Sequence, residues 1–488
     1  MGQFLSQPVT EKHSEDGGDE FLKFGLSSMQ GWRVSMEDSH STILDLNKVK
    51  SYKQIAQGIY DSVTVTANDD DDDDTEADKE STDCAPTPKD VDTSVTTEIQ
   101  FDEQVSFFAV FDGHGGSRVA LFSGEHLPQI LRDHSELIQK KQYAKALQDS
   151  FLACDRAILD DPAMKNDSSG CAATSILCTP SKLVCANSGD SRIVLSIDGQ
   201  AKAMSYDHKP SNEGEKARIV AAGGFVDVGR VNGNLALSRC IGDFDFKKSP
   251  NLPPEEQIVT AFPDIIEHTL DYAHDEFIIL ACDGIWDCLT SQQCVELVRR
   301  GIHERLSLTE ISEKIIDVCV APNSMGTGIG CDNMSIIVVA ILDGKSLDQW
   351  YDDIIAKEGT PISEPFNEIR KQIFKTELGP NEHLQQDMQA TGEEAFEEET
   401  PGLGDTGITQ SLSQLLSSSV ATFQDGTYYI DTSNSSSILA SLGILPGSEF
   451  ADAEGHEMDR EIDEEDDEDE EEEESSKVEE IEVAEEKK

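Results

Sequence analysis

Residues 107–116 read FFAVFDGHGG: a five-residue apolar run, Phe107–Phe111, that stops at Asp112-Gly113-His114-Gly115-Gly116. The run has strand length, and the glycines behind it supply the turn. The same grammar recurs along the chain. Asp283-Gly284 follows the run Phe277–Ala281, and Asp332-Asn333 immediately precedes Ser335–Leu342 (SIIVVAIL). Asp190 sits in Asn187–Arg192 (NSGDSR), and Glu37-Asp38 lies in Gly31–His40 (GWRVSMEDSH). An acidic side chain joined to a buried strand is costly unless a cation or hydrogen bonds compensate it. Several carboxylates converging at strand ends suit a hard divalent ion such as magnesium or manganese, which takes oxygen ligands. The Gly113 carbonyl could join such a set, and a glycine after Asp112 and Asp283 lets the backbone turn sharply. Taken singly, each signal is weak. An Asp-Gly after a strand is most often a hairpin turn, a lone His114 most often a hydrogen-bonded structural residue, and Asp190 before Ser191 fits an Asx-turn. Their joint occurrence changes the odds.

Outward from these turns, Thr174–Leu177, Leu183–Ala186 and Arg192–Ile197 also read as strands, with Asp198-Gly199 turning a hairpin into Ala201–Met204. Helical composition and spacing mark Ser117–Arg132, Ser135–Leu159, Glu213–Ala222, Ser291–Arg300 and Thr309–Cys319, the last with a start signal at Thr309–Glu313. Strands joined by short turns, with helices in groups, favour an antiparallel α+β domain over a βαβ array.

The 488 residues carry a net charge of −59, unevenly spread: 60–104 holds −14 and 375–488 holds −29. Asp69–Asp74 and Asp463–Glu474 are unbroken acidic runs that bury nothing, so both stretches are expected to be disordered. The expected organisation is an N-terminal segment 1–20, a catalytic domain 21–345 interrupted by the 60–104 insertion, a helical extension 346–374 and an acidic tail 375–488. This charge argues against a nucleic-acid partner, which needs local positive charge. The longest apolar run is strand-sized, and the N-terminus lacks the apolar core of a secretory signal. Eleven cysteines, an odd number without C-x-x-C spacing, read as small core residues of a reducing compartment. Met1–Ser6 (MGQFLS) fits the pattern for myristoylation of Gly2, and one acyl chain without a basic patch gives only weak membrane contact. The expected location is the cytoplasm and also the nucleus, with a minor membrane fraction where Gly2 is acylated, and the expected state is a monomer.

From about Phe24 to Leu342 the chain resembles the metal-dependent Ser/Thr protein phosphatases of type 2C, in their fungal and animal cytosolic branch. The resemblance rests on Met29–His40, Phe107–Gly116, Ser188–Arg192, Asp207–Pro210 (DHKP), Glu215–Gly224 (EKARIVAAGG), Arg230–Asp243 (RVNGNLALSRCIGD), Phe262–Asp264 (FPD), Ala281–Asp287 (ACDGIWD) and Asp332-Asn333, all in family order. It implies a central β-sandwich of two antiparallel sheets flanked by helices, with two magnesium or manganese ions at one end. By resemblance Asp112 bridges the two ions, Asp283 and Asp332 complete one site, and Glu37 with the Gly113 carbonyl completes the other. Asp38 resembles an acceptor that orders the metal-bound water, Arg33 the guanidinium that grips phosphate, and His114 the general acid. Asp190, with Asp283 and Asp287, would form the weaker third metal site of many members. One departure is Ser169-Gly170-Cys171-Ala172, where the family reads Ser-Gly-x-Thr. A hydroxyl is lost there, although Thr174 lies two residues on.

The implied activity is hydrolysis of phosphoserine and phosphothreonine in proteins by a hydroxide that two metals activate, without a phosphoenzyme. The expected substrates are kinases or kinase-pathway proteins, which makes the enzyme a negative regulator of kinase signalling. The competing reading is a catalytically weak phosphatase-fold scaffold that captures basic proteins through its acidic segments. Retention of Glu37, Asp112, Asp283 and Asp332 together speaks for catalysis.

Overall fold

The computed structural model describes residues 4–53, 55, 99–324, 328–357, 359–375, 421–424 and 427–430. In chain order its strands are β1 (Phe4–Gly18), β2 (Leu22–Arg33), β3 (Ser39–Ile43), β4 (Ser106–His114), β5 (Gly170–Cys178), β6 (Lys182–Ser188), β7 (Arg192–Ile197), β8 (Gln200–Ala203), β9 (Val226–Asp227), β10 (Arg230–Val231), β11 (Ile241–Gly242), β12 (Asp264–Thr269), β13 (Asp275–Ala281), β14 (Met334–Ile341), β15 (Ala421–Gln424) and β16 (Thr427–Ile430).

The apolar runs lack polar alternation because each of their faces meets a different core. Along β13, Phe277, Ile279 and Ala281 point to one cluster, while Ile278 and Leu280 point to another. Ile336, Val338 and Ala340 of β14 divide from Ile337, Val339 and Ile341 in the same way. In β4, Phe108 and Val110 join the second cluster, while Phe107, Ala109 and Phe111 face a third. The shared cluster is the interior between two antiparallel sheets, ordered β1-β2-β14-β13-β7-β8 and β12-β6-β5-β4-β3, with β11 on β5. The outer clusters bury the apolar faces of helices Ser291–His303 and Leu308–Cys319 on the first sheet, and of Arg118–Asp133 and Tyr143–Asp160 on the second. This is the expected α+β sandwich with helices on both outer faces.

Several boundaries differ from the sequence reading. The N-terminal segment 1–20 contains an edge strand, Phe4–Gly18, paired with β2. It has one neighbour, mostly exposed side chains and two register shifts, so it carries no hydrophobic period to read. Ser135–Leu159 is two helices, Ser135–Gln139 and Tyr143–Asp160, parted near Lys141, whose φ is +58°. The helix expected from Thr309 begins at Leu308, capped by Ser307 with Glu310 closing the capping box. Leu347–Ala356 and Phe366–Ile373 bring Trp350, Tyr351, Ile354 and Ile369 onto the outer core of the first sheet. Nine of the ten described cysteines are buried, as core residues should be. No helix of the described residues is long and apolar enough to cross a membrane.

The chain divides into two units, Met1–Glu393 and Glu394–Lys488. In the second, β15 and β16 pair as an antiparallel hairpin, where no regular structure was expected. The acidic runs Asp69–Asp74 and Asp463–Glu474 lie outside the described residues.

The insertion ends earlier than residue 104. Phe101 belongs to the core under the Arg118–Asp133 helix, with the Arg132 guanidinium 4.6 Å from its ring centroid. Its backbone N–H donates to Asn47 Oδ1 at 2.9 Å, and Gln104 Nε2 donates to the Leu44 carbonyl at 3.0 Å. Truncating the ring leaves a cavity and removes the contact under Arg132. Phe101→Ala should therefore cost about 3 kcal/mol, read as a lower urea midpoint at unchanged slope.

Beside the second sheet, the helix Glu213–Ala221 and the β9–β10 hairpin form a small satellite around Ile219 and Val231, braced by charge. Glu215 accepts from Arg239 Nη2 at 2.7 Å and Arg218 Nη1 at 2.7 Å, while Arg239 Nη1 reaches Asp264 at 2.6 Å. Burial alone would raise the Glu215 carboxyl, but Arg239, Arg218 and Ser238 bring it from 4.5 down to about 2. A depressed folded pKa adds stability that is complete above about pH 4.5 and lost as pH falls through about 2. Glu215→Gln should cost about 3 kcal/mol at neutral pH, and the stability of the variant should fall less steeply below pH 4.5. Denaturant melts across that range test both statements.

Candidate active site

Strand register brings the chemically loaded residues to one end of the sandwich. In the first sheet Met29 pairs with Met334, and Ala281 pairs with both Ile336 and Arg192. The ends beyond these pairs carry Arg33, Asp332, Asp283 and Asp190. In the second sheet Ser39 pairs with Phe111, Phe111 with Ala173, and Ala173 with Ser188. That level carries Asp38 and Asp112, and the β6–β7 connection holding Asp190 crosses from one sheet to the other.

Asp112, Asp190 and Asp283 each offer one oxygen, all within 4.8 Å of one another. Burial pushes Asp112 well above the usual carboxylate range, and the charges of Asp283, Asp38, Asp332 and Asp190 push it further. Asp283 is raised by burial and then by Asp190, Asp332 and Asp287. Asp287 is raised too, by burial first, with Lys209 opposing. Asp38 accepts from Ser335 Oγ at 2.7 Å through Oδ2, whereas its buried Oδ1 has no partner. Burial lifts Asp38 to about 7 against that hydrogen bond, and Asp332 adds to the rise.

Glu37 lies in the loop after β2, accepting from Ser35 Oγ at 2.9 Å and from the Gly116 N–H at 3.3 Å. Neither Gly113 nor Gly284 adopts positive φ; both glycines serve close approach instead. A Cβ on Gly113 would lie 2.1 Å from the Glu37 carbonyl oxygen, and one on Gly284 2.1 Å from that of Asn333. These contacts press the Glu37 loop onto Asp112 and the Asp283 turn onto Asp332. Arg33 Nη2 donates to Asp332 Oδ2 at 2.5 Å, and its buried Nε has no partner. His114 Nε2 is 2.5 Å from Asp243 Oδ2.

Three participants were not singled out from the sequence, although each lies inside a quoted motif. Asn333 accepts from the Glu37 N–H at 2.9 Å and donates to the Gln30 and Ser35 carbonyls at 2.8 and 3.0 Å, fixing the Glu37 loop. Lys209 Nζ lies 2.5 Å from Asp190 Oδ2. Burial would lower the Lys209 ammonium, but Asp190, Asp283 and Asp287 outweigh it and raise it. Asp243 is the third; burial would raise its carboxyl, and His114, Cys240 and Lys247 hold it below the usual range. At the departure from the family pattern, Ala172 stands opposite Asp112 in the ladder, and the buried Thr174 hydroxyl makes no hydrogen bond. Thr174 therefore does not take over the missing hydroxyl.

The donor set passes the test for a hard divalent cation: all its side-chain ligands are oxygens, they repel one another, and Asp38 Oδ1 lacks a partner. A sandwich ending in such a cluster, beside a guanidinium and an imidazole, is that of a metal-dependent phosphoric monoester hydrolase.

The comparisons agree. The family model for protein phosphatase 2C matches residues 78–328. The chain is 49% identical over 377 residues to protein phosphatase 2C homolog 2 of Saccharomyces cerevisiae, covering 77% of this chain and 70% of that one. It is 50% identical over 369 residues to protein phosphatase 2C homolog 3 of Schizosaccharomyces pombe, covering 75% and 76%. A crystal structure of a phosphatase from Toxoplasma gondii shares the fold, with a TM-score of 0.50 at 22% identity over 68% of this chain and 96% of that one. The chain belongs to the protein phosphatase 2C family. It is a metal-dependent protein-serine/threonine phosphatase, and its substrates are phosphoproteins.

Because the raised carboxylates repel, stripping the cation should lower the melting temperature, and manganese should restore it. Asp283→Asn removes one of the repelling charges. Its metal-free form should melt a few degrees above metal-free wild type, at about 2–4 °C per kcal/mol, yet respond little to manganese. Calorimetry with and without chelator checks both. A metal-free variant less stable than wild type would show that repulsion is not what destabilises the site.

Proposed function

We propose that Asp112, Asp283 and Asp332 hold one magnesium or manganese ion, and that Glu37, Asp112 and the Gly113 carbonyl hold a second. Asp190, Asp283 and Asp287 make a weaker third site, in competition with Lys209. The observation that carries this reading is that Asp112, Asp190 and Asp283 place oxygens within 4.8 Å of one another, with Asp332 and Asp287 near enough to raise Asp283 further. When bound, such ions neutralise phosphoryl charge and lower the pKa of a water molecule.

The remaining roles belong to the chain's own side chains. Arg33 grips the substrate phosphate with its planar fork, and the partial exposure of its side chain beside Asp332 supports that role. Asp38 orders the attacking water through its unpartnered Oδ1. Attack on phosphorus is in line, with no phosphoenzyme, and His114 donates a proton to the departing serine or threonine oxygen. None of the cysteines serves as nucleophile; burial pushes Cys171, Cys240 and Cys282 well above the usual thiol range.

Beyond the chemistry, we propose a monomer of the cytoplasm and nucleus that removes activating phosphates from kinases and kinase-pathway proteins. Gly2 lies outside the described residues; its acylation would add a minor, weakly held membrane fraction, which Gly2→Ala would abolish in a flotation assay.

The acid role has a direct test. A serine alkoxide leaves poorly without a proton, whereas nitrophenolate needs little help. His114→Ala should cost phosphoserine peptides about 10²- to 10⁴-fold in kcat, and nitrophenyl phosphate far less. Equal losses on both esters, restored together by added manganese, would leave His114 as a brace for the Asp112 turn.

A further inference from the structure

The carboxylate of Asp243 closes on His114 from the turn that follows β11. Asp243 has left-handed backbone, φ 49° and ψ 44°, and follows β11, which pairs with Cys171 and Gly170 of β5. The segment is pinned from behind: the Gly242 N–H donates to Asp155 Oδ1 at 2.8 Å, and Lys247 Nζ holds Asp155 Oδ2 at 2.5 Å. The Asp243 side chain is nearly buried and takes two contacts through Oδ2, His114 Nε2 at 2.5 Å and Cys240 Sγ at 3.0 Å. Room for this contact depends on Gly170, which pairs with His114 across the ladder. A Cβ there would lie 2.2 Å from Asp243 Oδ2 and 2.7 Å from His114 Nε2. Backbone conformation, anchoring and a missing side chain thus converge on one carboxylate–imidazole contact.

We propose that Asp243 is the positioning residue for His114, holding the ring through Nε2 so that Nδ1 presents the proton to the leaving oxygen. An ionised carboxylate only accepts, so Nε2 must carry a hydrogen. The other ring nitrogen is left for chemistry, and Nδ1 makes no hydrogen bond among the described residues. In the step itself the oxygen of the attacking water, which has lost one proton to solvent, bonds to phosphorus as the P–Oγ bond breaks. The electron pair of that bond stays on the serine oxygen, which takes the Nδ1 proton. The proton released to solvent then returns to Nδ1, so none is gained or lost overall. A carboxylate that fixes the tautomer and orientation of a catalytic imidazole acts through the ring, without touching substrate. The inference rests on the reading of His114 as general acid.

The experiment uses the full chain loaded with manganese, a phosphoserine peptide, nitrophenyl phosphate, and the variants Asp243→Asn, His114→Ala and their double. Asparagine tolerates left-handed backbone, so the turn is expected to survive. Asp243→Asn should lower kcat on the peptide by about 10- to 10³-fold, within the range open to general acid catalysis. It should affect nitrophenyl phosphate much less and leave KM little changed. In the His114→Ala background it should cost nothing further, because the ring it positions is gone. A structural role predicts the opposite: equal losses on both esters, persisting in the double variant, and that result overturns the proposal. If His114→Ala discriminates between the esters and Asp243→Asn does not, the proposal alone fails. If neither does, the acid assignment fails with it. Should Asp243→Asn not fold, Gly170→Ala forces the pair apart with both partners retained. The same ester-selective loss supports the proposal, and equal losses on both esters overturn it.

Discussion

Repulsion among carboxylates crowded at one end of the sandwich is the constraint that the rest of the structure answers. Two unit charges 4.8 Å apart, the upper limit within the Asp112–Asp190–Asp283 cluster, cost about 3 kcal/mol per pair at an effective dielectric of about 20. That exceeds the net worth of an ordinary hydrogen bond, roughly 1 kcal/mol. The charges therefore demand protons or a cation, and both responses are visible. Asp112 and Asp283 are shifted far toward the protonated form, and Lys209 sits against Asp190. A hard divalent cation leaves several carboxylates ionised at once, where Lys209 neutralises one.

A cluster under such strain needs rigid support. Strands β4, β13 and β14 supply it because they are buried on both faces, so moving one of their ends disturbs two cores at once. The loops that carry Glu37, Asp283 and Asp332 are then tied together by close backbone approach at Gly113 and Gly284, and by the Asn333 amide. Away from the site the chain holds charge in the opposite manner. Around Glu215 two arginines compensate the carboxylate fully, and its pKa falls instead of rising. Glu215 and Asp38 are about equally buried, so the charges beside each carboxylate, and not burial alone, set the direction of its shift.

The two-sided strands were legible as uninterrupted apolar runs, and the carboxylates that cluster in the structure as acids placed where those runs stop. The less regular elements were not. Strand β1 is an exposed edge with shifted register, and β12 alternates weakly because half its residues are only partly buried. The end of the acidic insertion was misplaced because Phe101 is a single aromatic in a polar stretch, and one residue has no period. The pause at Lys141 left no proline or glycine to mark it.

By itself the sequence determined which residues are chemically loaded, because that information is local: an acid attached to a strand too apolar to end there without compensation. Which loaded residues meet was decided by tertiary structure alone. Arg33 and Asp332 are 299 residues apart, Asp38 and Ser335 are 297 apart, and His114 and Asp243 are 129 apart. Nothing in local composition encodes such pairs. They arise because inter-strand register is fixed by how two sheets and their covering helices pack, and a slip of one residue would turn every side chain to the other face.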